Sequence, residues 1–265
     1  MITNQYALIT GATSGIGYEL AKLLAKDGYN LVIVARGQDE LDLTAKELTG
    51  AFQVEVLPIA KDLFEKDAPF ELYDLVQGRG LQIDILLNNA GQGQYGEFIN
   101  TDIYREIDII QLNIISLVVL TKLFLIDMVD RGRGRILNVA SVAGKIPGPL
   151  QSVYHGTKAF VHSFTEAIRN EVKDTGVTIT SLLPGATQTD FFNKADMLEA
   201  KNVQEGKLAD ASDVAKDGYE ALMKGDDMVI SGFKNKMQVA MSNIMPDEMV
   251  AEKVHHQQAP EERDK

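Results

Sequence analysis

Short apolar runs separated by longer helix-patterned stretches recur along nearly the whole chain, and this alternation constrains the fold more than any other feature. The runs are YALIT at 6–10, NLVIVA at 30–35, VEVLPI at 54–59, DILLNN at 84–89, GRILNVAS at 134–141, TITSLLP at 178–184 and DMVIS at 227–231. Most are continuously hydrophobic, as expected of strands covered on both faces. Helical patterning fills the intervals, notably over 15–27, 39–49, 102–130 and 151–174. Strand, helix, strand, repeated, predicts an α/β fold: a doubly wound parallel sheet with helices on both faces. Right-handed crossovers then place the ligand crevice at the carboxyl ends of the strands.

At 265 residues and 45% hydrophobic, the chain can fill a single core. One domain over 1–254 is expected. An irregular excursion at about 186–212, mixing Phe191, Phe192, Met197 and Leu198 with charges, reads as a substrate lid. Residues 255–265 read as a frayed polar tail, with His255 and His256 solvated. A net charge of -12 argues against a nucleic-acid partner. There is no cysteine, which removes disulfides, thiolate metal sites and thiol nucleophiles, and no metal site is expected. The most apolar stretch, 112–129, is interrupted by Asn113, Lys122 and Asp127 and reads as a helix buried in protein, not a membrane span. No secretory pattern precedes the first strand, so a cytoplasmic protein without a membrane partner is expected.

The first strand runs into TGATSGIG, residues 10–17. Gly11, Gly15 and Gly17 stand at the strand–helix corner, with Thr13, Ser14 and Ile16 between them. Glycine permits unusual dihedrals there and lets a ligand approach the backbone. The free amides and dipole of the following helix suit a pyrophosphate. Glycine spacing alone could mark a tight packing turn, but three glycines at the first strand–helix corner of an alternating chain favour the binding reading. No lysine follows the glycines, which disfavours a nucleoside-triphosphate loop. After the second strand stand Ala35 and Arg36, where dinucleotide folds use an acid to bind ribose hydroxyls. A guanidinium at this place fits a 2′-phosphate, so NADP is favoured over NAD, although Arg36 could also be an ordinary solvated loop residue.

Tyr154 and Lys158 are four residues apart on a helical face continued by Val161, Thr165, Ile168 and Val172. A lysine directed the same way as core residues needs a partner or a function, unless its stem lets it snorkel to solvent.

With the glycine turn, NNAG at 88–91, Ser141, the Tyr154/Lys158 pair and PGATQT at 184–189, the sequence resembles the compact, single-domain short-chain dehydrogenase/reductases over about residues 5–185. The resemblance implies a Rossmann-type fold and a catalytic set of Asn113, Ser141, Tyr154 and Lys158. In it Tyr154 is the general acid/base, and Lys158 lowers its pKa and holds the nicotinamide ribose. Ser141 bonds the substrate oxygen, and Asn113 anchors a water-linked proton relay. It also implies that Asp62 and Leu63 meet the adenine, and that Asn89, Ala90 and Gly91 pass beside the ribose. Thr187 meets the carboxamide after a turn shaped by Pro184 and Gly185, while Asn88 ties strands together. His155 and Gly156 depart from the small residues common between the catalytic pair, and His155 reads as packing or rim. Read alone, Asn113 would be a satisfied core amide and Ser141 a turn cap.

The expected reaction moves a hydride between nicotinamide and a carbonyl or alcohol substrate. The pocket would be bordered by Ser141, Tyr154, Gln92, Tyr95, Ile146 and the apolar part of 186–200. No basic cluster is evident there, which disfavours a multiply anionic substrate. The alternatives are a catalytically silent NADP-binding regulator, or an epimerase or dehydratase on the same scaffold. The helices at 102–130 and 151–174 expose more apolar surface than one sheet face can cover, so a homodimer or homotetramer is expected.

Overall fold

All seven apolar runs form strands: β1 (Tyr6–Thr10), β2 (Asn30–Ala35), β3 (Val56–Ala60), β4 (Ile83–Asn88), β5 (Gly134–Val139), β6 (Val177–Leu183) and β7 (Met228–Ile230). The computed structural model describes residues 5–259 apart from 205–207 and 243. Every strand pair is parallel, in the order β3-β2-β1-β4-β5-β6-β7. The order reverses between β1 and β4, and a crevice opens there at the carboxyl ends of the strands.

The period-two alternation of β1 feeds both helical layers. Ala7 and Ile9 pack with Leu20 and Leu24 of α1 (Gly15–Lys26), Leu41 of α2 (Gln38–Phe52) and Leu222 of α9 (Ala211–Lys224). Leu8 packs on the opposite face with Leu72 of α3 (Ala68–Gly78) and with Phe124 and Met128 of α5 (Leu117–Asp130). Asn88 does join neighbouring elements: its Nδ2 donates to Thr121 Oγ1 and Asn138 Oδ1, both at 2.9 Å.

The stretch 102–130 is not one regular helix. Asp102 caps α4 (Ile103–Ile110) by accepting from the Tyr104 amide, and a π-helical turn over Gln111–Ser116 then leads into α5. The physical reason lies in inward-facing polar side chains. Asn113 bonds the 92 backbone, and Ser116 Oγ donates to the Leu63 carbonyl at 2.7 Å, which holds the wide turn open. By length and composition the 103–130 segment could cross a bilayer, with mean hydropathy 2.2, yet half of its most apolar window is buried in the fold. Its outer face leaves Ile103, Tyr104, Ile107, Ile115 and Ile126 exposed.

The excursion at 186–212 contains α7 (Phe191–Lys194) and α8 (Lys201–Gln204). Thr187 and Ala209 pair at its neck, and Phe192, Ala195, Met197 and Ala200 form a small core of their own. Beyond β7 lie α10 (Phe233–Ser242) and α11 (Asp247–Gln258). The expected frayed tail therefore begins too early at 255. Val250, Val254 and Gln258, four residues apart, are buried and carry the helix through His255 and His256, both exposed. The remainder of that tail, 260–265, lies outside the described residues.

Candidate functional site

The crevice is a continuous cleft of about 1630 Å³ that runs over the carboxyl ends of β1, β2, β4, β5 and β6. At one end the chain leaves β1 through Gly11 (φ +67°) and Gly15 (φ +55°), conformations that side chains with a Cβ resist. Gly17 plays a different part. A Cβ there would lie 2.2 Å from the Gly11 carbonyl oxygen and 2.3 Å from Asn89 Nδ2, so it is a packing residue and does not border the cleft. Asn89 Nδ2 donates to the carbonyls of Thr10 and Gly11, and the amides of Asn89 and Ala90 both donate to Thr10 Oγ1. Thr10 thus pins the 88–91 loop beside the glycine turn, a role that a lone threonine ending a strand does not announce in sequence.

Thr13, Ser14, Gly15 and Ile16 line the cleft at the start of α1. No side chain caps this helix and no acid occupies its first turn, so its amides and dipole face the cleft. Arg36, exposed beyond β2, lies 5.5 Å above the Phe64 ring, and Arg105 sits over the same ring at 5.2 Å. Asp62 and Leu63 border this end, and an Asp62 carboxylate oxygen accepts from the Phe64 amide at 3.1 Å. A backbone cradle that a Cβ would fill, unmasked helix amides and a guanidinium at the far end fit a phosphorylated dinucleotide.

At the other end, Ser141 follows β5 and caps a 3-10 turn (Val142–Lys145): its Oγ accepts from the Ala143 amide at 3.1 Å and donates to the Pro184 carbonyl at 3.3 Å. Tyr154 and Lys158 project from α6 (Ser152–Glu171), whose core face continues through buried Val161 and Thr165. The Tyr154 ring packs 5.0 Å from Phe191 of the excursion. A Cβ on Gly93 would come within 2.9 Å of Phe191 and 3.3 Å of Tyr154, so that loop must be bare to admit the pair. Lys158 is buried, and its ammonium donates to the Val139 carbonyl at 2.8 Å.

Electrostatics here depart from the sequence expectation. Burial pushes the Tyr154 phenol up to about 12, opposed by its hydrogen bond with Ser141. Burial likewise brings Lys158 down to about 8. Lys158 Nζ stands 5.8 Å from the Tyr154 ring centre and spends its hydrogen bond on a carbonyl, so desolvation outweighs any acidifying charge. The phenol is neutral at pH 7 and can donate a proton.

Asn113 does not border the cleft. Its Nδ2 donates to the Gln92 carbonyl at 2.8 Å and to Thr157 Oγ1 at 3.0 Å, and its Oδ1 accepts from the Gln92 amide at 3.0 Å. It clamps the 91–93 loop onto α6, the core-amide alternative weighed above. Gln92 lines the cleft, with its side-chain carbonyl held by Arg105. Tyr95 turns away: its amide donates to the Ala195 carbonyl of the excursion at 3.0 Å and its hydroxyl to the Gln258 carbonyl of α11 at 2.6 Å, so the loop after β4 bridges the two. Ile146 borders the cleft, and its carbonyl accepts from His155 Nδ1, which makes His155 a buried packing residue beside the wall. Gly91, Pro184, Gly185 and Thr187 line the middle of the cleft.

Sequence reasoning missed the wall contributed by α10, α11 and the turn between them, including Asn235, Met245 and Met249, because this segment carries no motif. It also missed lysines along the cleft: besides Lys61, paired with Glu71 at 2.7 Å, the C-terminal part supplies four, namely Lys194, paired with Asp190 at 2.8 Å, Lys201, Lys234 and Lys253. These four are dispersed over sixty residues of chain, so no cluster is visible before folding.

The family model described as short chain dehydrogenase matches residues 5–199. The chain belongs to the short-chain dehydrogenase family. Within it, the chain is 38% identical over 186 residues to the very-long-chain 3-oxoacyl-CoA reductase of Bos taurus, a match covering 68% of this chain and 58% of that protein. Among solved structures, a short-chain dehydrogenase from Sphingobium yanoikuyae in complex with NADPH superposes with a TM-score of 0.81 at 28% identity, covering 91% of this chain and 96% of that one. A bulky-bulky ketone specific alcohol dehydrogenase from Comamonas testosteroni follows at 0.77 and 26% identity, covering 95% and 99%.

Proposed function

We propose that this short-chain dehydrogenase is an NADP-dependent carbonyl reductase in which Tyr154 donates the proton. The observation that carries the reading is the Tyr154 side chain, set beside Ser141 and Lys158 at the end of the cleft opposite Arg36. A bound nicotinamide cofactor supplies the hydride. The chain's own residues do the rest. The Ser141 and Tyr154 hydroxyls converge on one point where a carbonyl oxygen gains negative charge, and the phenol delivers its proton there. Lys158 holds the adjacent ribose, while Asn113 fixes the 91–93 loop that frames it. Arg36 pairs with the 2′-phosphate, and the start of α1 receives the pyrophosphate.

The relatives named as 3-oxoacyl-CoA reductases favour a 3-oxoacyl thioester as the first substrate to try. The lysines along the cleft suit an acyl group delivered on an anionic carrier. The test follows NADPH and NADH consumption with acetoacetyl thioesters and simple ketones. Wild type should prefer NADPH, and Arg36→Ala should cut that preference about tenfold or more. Tyr154→Phe should lower kcat by about 100-fold or more while NADPH still binds. Full-rate reduction by the Phe variant would refute the reading; equal use of NADH would refute the cofactor assignment.

A further inference from the structure

A second, smaller cavity of about 250 Å³ lies between α10 and α11. It is not separate from the main cleft: Ile146, Met245, Val254, Lys234 and Lys253 line both. The shared wall begins at Ile146, five residues beyond Ser141, whose carbonyl is fixed by His155. Ser141 and Tyr154 line the main cleft, so through these shared residues the groove joins the space in which a carbonyl would meet Tyr154.

Its lining is mixed: Gln238, Ser242 and Gln257 stand among Ile146, Val250, Val254 and three methionines, and the apolar part is adaptable. Met237 and Met241 stand one helical turn apart on α10, each 49% exposed, and face the groove opposite Val250 and Val254 of α11. Unbranched thioether side chains re-pack around apolar ligands of varied shape at little cost. Lysines at the rim lay their methylene stems along such a wall while the ammonium groups stay in water.

We propose that the α10–α11 groove receives the linear alkyl tail of the substrate, so that the enzyme takes carbonyl compounds with a long unbranched chain on one side. The proposal rests on the carbonyl-reductase reading for the position of the head, and on the continuity of the two cavities for the position of the tail.

The experiment has two arms. The first compares kcat/KM for acetoacetyl, 3-oxooctanoyl and 3-oxohexadecanoyl thioesters of N-acetylcysteamine in wild type and in the double variant Met237→Gln/Met241→Gln. Glutamine keeps the side-chain length and helix propensity but sets amides against the tail. The long-to-short ratio should exceed unity in wild type and fall about tenfold in the variant, mainly through KM of the long substrate. Met237→Leu/Met241→Leu should keep it. The second arm measures binding of a fluorescent linear hexadecyl probe that has no reducible carbonyl; the glutamine variant should weaken it by a similar factor. A ratio near unity in wild type, or probe binding unchanged by glutamine, overturns the groove assignment. If no thioester or ketone is turned over while the probe still binds in a methionine-dependent way, the reductase reading falls and the apolar-tail site stands.

Discussion

At the cofactor end of the cleft, main chain sets the shape: Gly11 and Gly15 at positive φ, Gly17 against the Gly11 carbonyl, and the 88–91 loop pinned by Thr10. At the substrate end, side chains set it: Phe191 on Tyr154, Met197 and Met245 along the wall, and Tyr95 reaching Gln258. Backbone geometry admits few residue types, so the first end is rigid in sequence and structure alike. Apolar packing admits many, so the second can change its ligand without disturbing the first.

The most damaging way to break this contrast is Gly17→Ala. A methyl group 2.2 Å from a backbone oxygen cannot be accommodated by a rotamer change, so the turn must move. The variant should lose about 2–3 kcal/mol of stability in urea unfolding and most of its NADPH affinity. A well-folded variant that binds NADPH normally would show that the cofactor end is as plastic as the other.

Lys158→Met sharpens the comparison, because it removes a buried charge from the cleft wall. Burial holds the folded-state value near 8 against 10.5 for the free side chain. Below 8 both states bind the proton and the folded state bears the cost of a buried ammonium. Between 8 and 10.5 only the unfolded state binds it, so this contribution to stability rises with pH and is complete above 10.5. At pH 7 the variant should therefore melt about 5 °C higher than wild type, with the difference shrinking as pH passes 8, and should lose reduction. An equal Tm difference at pH 7 and pH 10 would contradict the shift.

Tyr95→Phe is the mildest test. It deletes one hydrogen bond between the loop after β4 and α11 and should cost about 1 kcal/mol. Substrate KM should rise a few-fold with NADPH affinity unaltered; a change confined to NADPH binding would mean that the two ends are not independently built.

The sequence foretold the elements whose physics is local. Continuous apolar runs located every strand, the glycines located the turn, and a four-residue spacing put Tyr154 and Lys158 on one face. Three features were hidden because they depend on partners remote in the chain. The π-turn needs Gln92 and Leu63 to receive Asn113 and Ser116. Tyr95 needs Gln258, 163 residues away, and without that knowledge its ring was assigned to the substrate. The Tyr154 phenol needs its actual enclosure, since the Tyr154/Lys158 spacing alone points to an acidified group. The buried face of α11 was legible in principle, at Val250, Val254 and Gln258, but its polar composition masked it.

The wide turn at Gln111–Ser116 also bears on how this helix can change length. A π turn takes up one residue more than an α turn, so α5 is rotated relative to the line of α4. Removing a residue inside 111–116 would restore ordinary winding and keep Leu120, Phe124 and Met128 on the sheet, whereas the same deletion within α5 would swing them off it. The segment that anchors Asn113 is thus also the place where the central helix can absorb a one-residue deletion.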